Sequence, residues 1–358
     1  MKGGHGDKCR AEDPNNCRFH HTGRFAQCKA SLSPSKGVGE IPPPFDKGRA
    51  QSLLKYAFTK PMELVKYAPP ELADFELKED ARKLPVAKAI AAVLPYADAF
   101  GKRLNSISEE VVAARNKVYA TKWDVQKDII RLTAQLDNAK DEAEKAKIRS
   151  AIRKNSSIVE SLYENSRDLE SRTYAKAFST GTFGTVKIDC KDEAIDPISL
   201  TTLRQTVPYL FSDSVLPEKA AVIVGTSVKR STTDADGIRY ARYEDAETLV
   251  HEYAHFVEYN NEHLHARCVE FLEHRCADEK SAPLSELGDG VFAAEETARK
   301  DRFFHAYCGK DYIDENGERV STEILSMGVE MMLIDPVMFY ERDREYFAFV
   351  VGAMKGLI

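Results

Sequence analysis

The sequence predicts an α+β protein in which a small sheet packs against helices that carry the functional residues. Short segments rich in β-branched residues, bounded by turn residues, lie between positions 181 and 243. Segments with helical periodicity precede and follow them. With 358 residues, of which 43% are hydrophobic, the chain can bury a substantial core and form two domains, or one domain with appendages.

Residues 1–48 are predicted to be irregular, because DPNN, SPSKGVG and IPPP place Pro, Gly and Asn at short intervals. The first 60 residues carry 11 Lys or Arg against 5 Asp or Glu, whereas the whole chain has a net charge of −6. A basic segment can contact nucleic acid or another acidic surface. A solvated tail is favoured, since basic and aromatic residues do not interleave there and no nucleic-acid-binding fold is recognised.

The same segment contains Cys9, Cys17, His20, His21 and Cys28. Three thiolates and one imidazole would form a closed tetrahedral site for a structural zinc ion, with His20 preferred over His21 by spacing. The spacing is not that of a standard zinc finger, so free cysteines in a mobile tail are the alternative. An odd number of cysteines in a long chain favours reduced thiols or metal ligands over disulfides. Ordinary buried or half-buried thiols are expected at Cys190, Cys268, Cys276 and Cys308.

Residues 49–179 are predicted to form a helical region whose main feature is an antiparallel helical arm. Apolar residues recur at spacings near three and four between Ile129 and Leu162, with a bend expected between Asp137 and Asp141. The arm is interpreted as a structural spacer. The alternative is a coiled coil that forms oligomers or binds a protein partner.

Residues 180–358 are predicted to form the domain that carries the site. GTFGTVKI and AAVIVGTSV indicate strands, and STTDADGIRYARY, with its Asp-Gly turn, indicates a β-hairpin. Helices are then predicted at 245–259, 262–276, 321–334 and 338–357.

The first of these helices carries the motif HEYAH. His251 and His255 are four residues apart, so a helix places both imidazoles on one face, where they can bind one zinc ion at about 2.0–2.1 Å. Glu252 lies on the adjacent face and can reach a metal-bound water, as a general base does. The alternative is a pair of surface histidines beside neighbouring acids.

A catalytic zinc ion needs a third protein ligand, which must come from further along the chain. The metzincin extension is absent, because Glu258 and Asn261 occupy the positions of its glycine and histidine. Histidines also follow the motif at positions 263, 265 and 274. Of these, His274 lies near the spacing at which another peptidase group places its ligand glutamate, and it remains an alternative ligand.

The better candidate for the third ligand is Glu323 in VSTEILSMGVEMML. Ser321 or Thr322 can cap a helix on which Glu323 and Glu330 share one face. Glu330 is expected to orient a histidine through its free ring N–H, and it is the alternative to Glu323 as ligand. Two solvated glutamates on an amphipathic helix are the structural alternative.

TLVHEYAHFVE, FLEHR, PLSEL, AYCGKDY and STEILSMGVE together resemble the zincin-like metallopeptidase domain of phage head-associated proteins and bacterial polymorphic toxins. The resemblance covers roughly residues 180–358, and the domain is similar to the gluzincins, in which a glutamate that opens a later helix is the third ligand. This implies Glu323 as the zinc ligand. It also implies a tyrosine that stabilises the oxyanion, for which Tyr312 is preferred over Tyr307.

These observations predict a zinc metallopeptidase with one catalytic Zn²⁺ that hydrolyses a protein or peptide bond. The resemblance implies that the enzyme is phage- or prophage-associated. A second, structural Zn²⁺ is the expectation for the N-terminal cluster. The alternative function is a virion- or secretion-associated structural module with a non-catalytic zinc ion. No apolar run approaches the roughly 18 residues that cross a bilayer, and no secretory signal is recognised, so bacterial cytoplasm or a virion is the expected location.

Overall fold

The structure is a computed structural model that describes Leu77 and residues 80–358, except for 181–183, 192–194, 196, 227–229, 242–243, 288–291 and 294. It combines many helices with small sheets, which is compatible with the predicted α+β class. The predicted zinc site formed by Cys9, Cys17, His20 and Cys28 lies outside the described residues.

Two long helices form the predicted antiparallel arm. Helix α1 spans Val86–Asn138 and helix α2 spans Glu142–Ala177, so the chain reverses between them in the predicted interval. The side chain of Asp141 caps α2 by accepting a hydrogen bond from a backbone N–H of its first turn. Arg115 of α1 pairs with Glu170 of α2 at 3.0 Å, which fits the antiparallel arrangement.

The main sheet has four strands, in the spatial order β1-β2-β4-β3. Their bounds are Ile188–Cys190 for β1, Ala221–Thr226 for β2, Thr232–Thr233 for β3 and Gly237–Ala241 for β4. β1, β2 and β4 are parallel, while β3 pairs antiparallel with β4 as the predicted hairpin and forms one edge of the sheet. Helix α3, Pro197–Leu210, lies between β1 and β2 in the sequence.

The first strand begins later than predicted, at the last residue of GTFGTVKI. The backbone N–H of Gly184 donates to the carbonyl of Pro208 at 2.9 Å, and that of Thr185 donates to Asp213 Oδ1 at 2.6 Å. These donors bind the end of α3 and the loop after it, so they are not free to pair with a strand.

Helices and two small hairpins follow the main sheet in the sequence. The helices are α4 (Ala246–Tyr259), α5 (Glu262–Arg275), α6 (Leu284–Leu287), α7 (Ile324–Ile334), α8 (Pro336–Arg342) and α9 (Arg344–Met354). The hairpins pair β5 (Ser281–Pro283) with β6 (Thr297–Arg299), and β7 (Tyr312–Ile313) with β8 (Arg319–Ser321). A 3-10 turn, Ala306–Gly309, lies between β6 and β7.

The single helix predicted over 338–357 is wrong, because the structure has two helices there with a break at Asp343. The Asp343 carboxylate accepts the N–H of Tyr346 at 3.1 Å and so caps α9. The same carboxylate binds two nitrogens of Arg275, each at 3.0 Å. A partner 68 residues away in the sequence thus helps to hold the residue at the break.

One hydrophobic core joins the base of the arm to the C-terminal helices. The ring of Phe178, just after α2, lies 5.4 Å from that of Phe100 in α1 and 6.2 Å from that of Phe347 in α9. The core therefore continues across the predicted boundary at residue 179. Among the described residues, no helix combines the length and apolar character that a membrane crossing requires.

The junction between the arm and the core gives a prediction for the pH dependence of folding. Burial raises the pKa of Glu170 from 4.5 to about 7, although Arg115 opposes the shift. A carboxyl group with a raised native pKa contributes stability that is complete below pH 4.5 and is lost as the pH rises through about 7. Relative to Glu170→Gln, the wild type should therefore lose about 3 kcal/mol of unfolding free energy between pH 4.5 and 8.

Urea unfolding of the wild type and of Glu170→Gln at pH 4.5 and pH 8 measures this difference. Glu160→Gln, at an exposed position of the same helix, is the control and should follow the wild type at both pH values. Parallel pH profiles for the wild type and Glu170→Gln would contradict the prediction.

Candidate metal centre

Helix α4 places its two histidines side by side. Its first turn is capped by Asp245, whose Oδ1 accepts the backbone N–H of Thr248 at 3.0 Å. Both histidines are buried, and the rings of His251 and His255 lie 4.9 Å apart between centroids. The two imidazoles therefore share one face of the helix, as their spacing predicts.

Glu323 meets both rings from the start of α7. Its Oε2 lies 3.3 Å from Nε2 of His251 and 3.1 Å from Nε2 of His255, and its side chain is 1% exposed. One ligand atom from each of these three residues lies within 4.8 Å of the others. In the part of the chain that the structure describes, this is the one group of three such side chains that could hold a metal ion.

The separations between Glu323 and the two histidines suit zinc. Ligand distances of about 2.0–2.1 Å in a tetrahedral site place neighbouring ligand atoms roughly 3.3–3.4 Å apart. The separations of 3.3 and 3.1 Å from Glu323 to the two histidines are close to those edges. Two imidazoles and one carboxylate also leave the fourth position of a tetrahedral site open, as catalytic zinc sites do.

The site needs a positive charge next to its carboxylates. Although burial disfavours a charged imidazole, hydrogen bonds with Glu323 and Glu330 raise the pKa of His251 to about 10. Burial alone would raise the pKa of Glu323, yet His255 and His251 hold it well below its usual range. A proton on His251 or a divalent cation can supply this charge, and the two compete for the same ring nitrogen.

Glu330 occupies the position expected of a residue that orients a histidine. Its Oε2 lies 2.9 Å from Nδ1 of His251, the ring nitrogen that faces away from Glu323. Such a contact fixes the tautomer of the ring and leaves Nε2 as the lone-pair donor. Glu330 itself is not part of the three-donor group.

The start of α7 differs from the prediction. The helix begins at Ile324, and Glu323 stands at the N-cap position without a capping hydrogen bond, because its side chain is turned towards the histidines. The predicted caps, Ser321 and Thr322, therefore lie before the cap position. Thr322 still satisfies one backbone group, since its Oγ1 accepts the N–H of Ile324 at 3.3 Å.

A buried carboxylate holds the segment that presents Glu323. Thr322 Oγ1 lies 3.0 and 3.1 Å from the two oxygens of Glu258, to which it donates. The other neighbour of Glu258 is Nδ1 of His265, at 3.0 Å. In the sequence, Glu258 stands out only as the replacement for the metzincin glycine. Its contact with Thr322 joins the end of α4 to the residue before Glu323 and has no local sequence signal.

Glu252 lies outside the donor group and is held by the edge strand. Oγ1 of Thr233 in β3 donates to Oε2 of Glu252 at 2.6 Å and lies 3.1 Å from its backbone carbonyl oxygen. The hydrogen bond from Thr233 goes to Oε2, so Oε1 of the same carboxylate does not accept it. The sequence predicted the hairpin before α4 but offered no signal for this particular threonine.

The β7–β8 hairpin brings Tyr312 to Glu323. Tyr312 pairs with Ser321 across the hairpin, and Gly317, with a φ of 82°, lies in the loop between the strands. The hydroxyl of Tyr312 donates to Oε1 of Glu323 at 2.6 Å. Burial and the Glu323 carboxylate raise the pKa of Tyr312, so it remains a hydrogen-bond donor. The hydroxyl of Tyr307 lies 3.4 Å from that of Tyr312.

No family model, curated protein or solved structure matches this chain. We therefore infer its function from the residues and geometry of the site and from the resemblance described above.

The remaining histidines considered as ligands do not join the site. His274 lies 3.3 Å from Glu345 and its side chain is 40% exposed. His265 contacts Glu258, and His263 is exposed. The structure thus brings together His251, His255 and Glu323 and leaves His274 elsewhere.

Proposed function

We propose that this protein is a zinc-dependent metallopeptidase of the zincin-like, gluzincin type. The observation that carries the proposal is the convergence of Glu323, from α7, on both histidines of the HEYAH helix. Glu252 lies between these histidines in sequence and outside the donor group in space. The sequence resemblance extends the proposal to a phage- or prophage-associated enzyme that acts on a protein or peptide.

His251, His255 and Glu323 would hold the zinc ion, with Glu330 fixing the ring of His251. When bound, zinc supplies a Lewis acid that polarises the scissile carbonyl and lowers the pKa of a bound water towards about 7. A divalent ion held by two neutral imidazoles and the Glu323 carboxylate would give this ligand set a net charge of +1, which favours an oxyanion over a neutral carbonyl.

Glu252 acts as the general base of the proposed reaction. Oε2 of Glu252 accepts the hydroxyl of Thr233, so Oε1 is the oxygen that takes the proton of the attacking water. The same carboxyl group then delivers the proton to the nitrogen of the leaving amine. Thr233 restrains the rotation of the Glu252 carboxylate and thereby keeps Oε1 directed to one place.

Tyr312 is the proposed oxyanion donor. Its hydroxyl is protonated and bound to Oε1 of Glu323 when no substrate is present. A substrate oxyanion formed at this site would offer the Tyr312 hydroxyl a second acceptor, and the hydroxyl would stabilise it by donating a hydrogen bond. Tyr307, whose hydroxyl lies 3.4 Å from that of Tyr312, is placed to support this tyrosine and not to replace it.

Removal and return of zinc tests the proposal. The full chain carrying Cys9→Ser and Cys17→Ser should retain one zinc ion, measured by atomic emission, because the buried site lies elsewhere. That protein should cleave members of a broad peptide library, lose this activity when a chelator removes the metal, and regain it when zinc is added. One tightly held zinc ion without any cleavage would favour the structural module instead.

A further inference from the structure

A cationic side chain stands at the solvent edge of the metal centre. The side chain of Arg230 is 54% exposed, and the residue lies three positions before Thr233, which contacts the proposed general base. Its guanidinium carbon lies 5.3 Å from the ring centroid of Tyr307. The hydroxyl of Tyr307 is in turn 3.4 Å from that of Tyr312, which binds Glu323. Tyr307 therefore connects Arg230 to the hydrogen bond between Tyr312 and Glu323.

Arg230 shares its counter-ion with a second cation. Oε1 of Glu296 accepts from Lys310 Nζ at 2.7 Å and from Arg230 Nη1 at 3.2 Å. Oε2 of the same glutamate accepts the backbone N–H of Ala293 at 2.8 Å. Within this group of three side chains, two cations face one carboxylate, so the group carries one positive charge in excess.

Lys310 is fixed, whereas Arg230 is accessible. The Lys310 side chain is 8% exposed, and its Nζ lies over the rings of both Tyr307 and Tyr312, at 4.8 and 4.5 Å from their centroids. It is also the closer of the two cations to Glu296. The surplus charge is therefore presented to solvent by Arg230.

The chemistry of the guanidinium group selects a carboxylate as its ligand. Arginine offers donors in a planar fork that matches the two oxygens of a carboxylate, and the contact with Glu296 uses Nη1. The ion pair between Arg230 and Glu296 is partly exposed and therefore contributes little free energy. An incoming carboxylate can displace Glu296 from Arg230, or bind Arg230 together with Glu296, at little cost.

We propose that Arg230 binds a carboxylate of the peptide substrate and makes the enzyme prefer peptides with an acidic group close to the scissile bond. The proposal rests on the metallopeptidase function proposed above. The carboxylate can belong to an Asp or Glu side chain or to the free C-terminus of the peptide, since the fork recognises the same group in both.

Paired peptide libraries test the proposal. One pair differs only by Glu or Gln at a fixed position, and the other only by a free or an amidated C-terminus. The zinc-loaded wild type should favour the acidic member of at least one pair by about tenfold in kcat/KM, and the pair that shows the preference identifies the source of the carboxylate. Arg230→Met should reduce the ratio to about one, Arg230→Lys should restore part of it, and Arg230→Glu should reverse it.

Arg239→Met is the matched control. Arg239 is an exposed arginine on the neighbouring strand, next in the sequence to the buried Ile238 and Tyr240, and it should leave the acidic-to-neutral ratio unchanged. An equal ratio in the wild type would overturn the proposal, as would a preference that survives Arg230→Met or is lost equally in Arg239→Met.

Binding separates this proposal from the peptidase function. In zinc-loaded Glu252→Gln, the same libraries should bind with an acidic-to-neutral ratio of Kd values that depends on Arg230 and not on Arg239. Arg230-dependent binding without cleavage by the wild type would refute the peptidase and retain the carboxylate site. Cleavage without any acidic preference would retain the peptidase and refute the role of Arg230.

Discussion

Glu252→Gln is expected to lower kcat/KM for any cleaved peptide by about 10²–10⁴-fold while the zinc content stays at the wild-type value. The amide keeps the shape of the side chain and can still contact Thr233 Oγ1, which lies 2.6 Å from Oε2. It cannot accept the proton of the attacking water. Because Glu252 lies outside the three-donor group, the metal ligands are unchanged.

Peptide cleavage, zinc content and thermal unfolding measured on the same preparations check this result. Glu262→Gln removes a carboxylate from an exposed position at the start of α5 and should match the wild type in all three. If Glu252→Gln cleaved peptides as fast as the wild type, another group would have to move the proton. If it lost zinc, Glu252 would belong among the ligands.

Glu323→Ala is expected to abolish stoichiometric zinc binding and, with it, all cleavage. Glu323 is the donor that both histidines face, and its removal leaves two ligands that hold a divalent ion weakly. Glu330→Gln should weaken zinc binding by only about 10–100-fold, because Glu330 touches the far nitrogen of His251 and acts through the ring.

Competition with a chromophoric chelator gives the zinc affinity of each variant. His274→Ala is the control and should bind zinc as the wild type does, since His274 contacts Glu345 and not the site. Retained zinc in Glu323→Ala together with lost zinc in Glu330→Gln would move the ligand assignment to Glu330. Loss of zinc in His274→Ala would contradict the arrangement of the whole site.

Glu323→Ala should also affect the stability of the fold in the absence of metal. In the apo protein the buried Glu323 carboxylate accepts from Tyr312 and Ser326 and pairs with the histidines. Its removal leaves the protonated His251 with one carboxylate instead of two. A circular dichroism spectrum at low temperature therefore belongs beside each zinc measurement, so that lost binding is not mistaken for lost structure.

Much of the fold could be read from local patterns. The bend of the long arm, the β3–β4 hairpin and the helix around HEYAH follow from apolar spacing, turn residues and capping residues, all of which act within a few positions. The common face of His251 and His255 follows from the helical repeat alone. Glu323 was singled out by its helix and by a family resemblance, and the structure places it beside the histidines.

The two helix boundaries that the sequence predicted wrongly, at Asp343 and at the start of α7, have the same kind of cause. The break at Asp343 coincides with an ion pair to Arg275 in another helix. The late start of α7 accompanies the turn of Glu323 towards the histidines of α4. In both places a side chain has a distant partner, and local helical preference does not decide where the helix begins.

Periodicity and residue chemistry, which are local properties, specify which residues could hold a metal ion and which face of their helix carries them. The tertiary structure decided what surrounds those residues. Thr233 reaches Glu252 from 19 positions away, and Glu330 reaches His251 from 79. Such contacts depend on how separate elements pack, and packing is set by the whole core at once, so no local pattern encodes which side chains will meet.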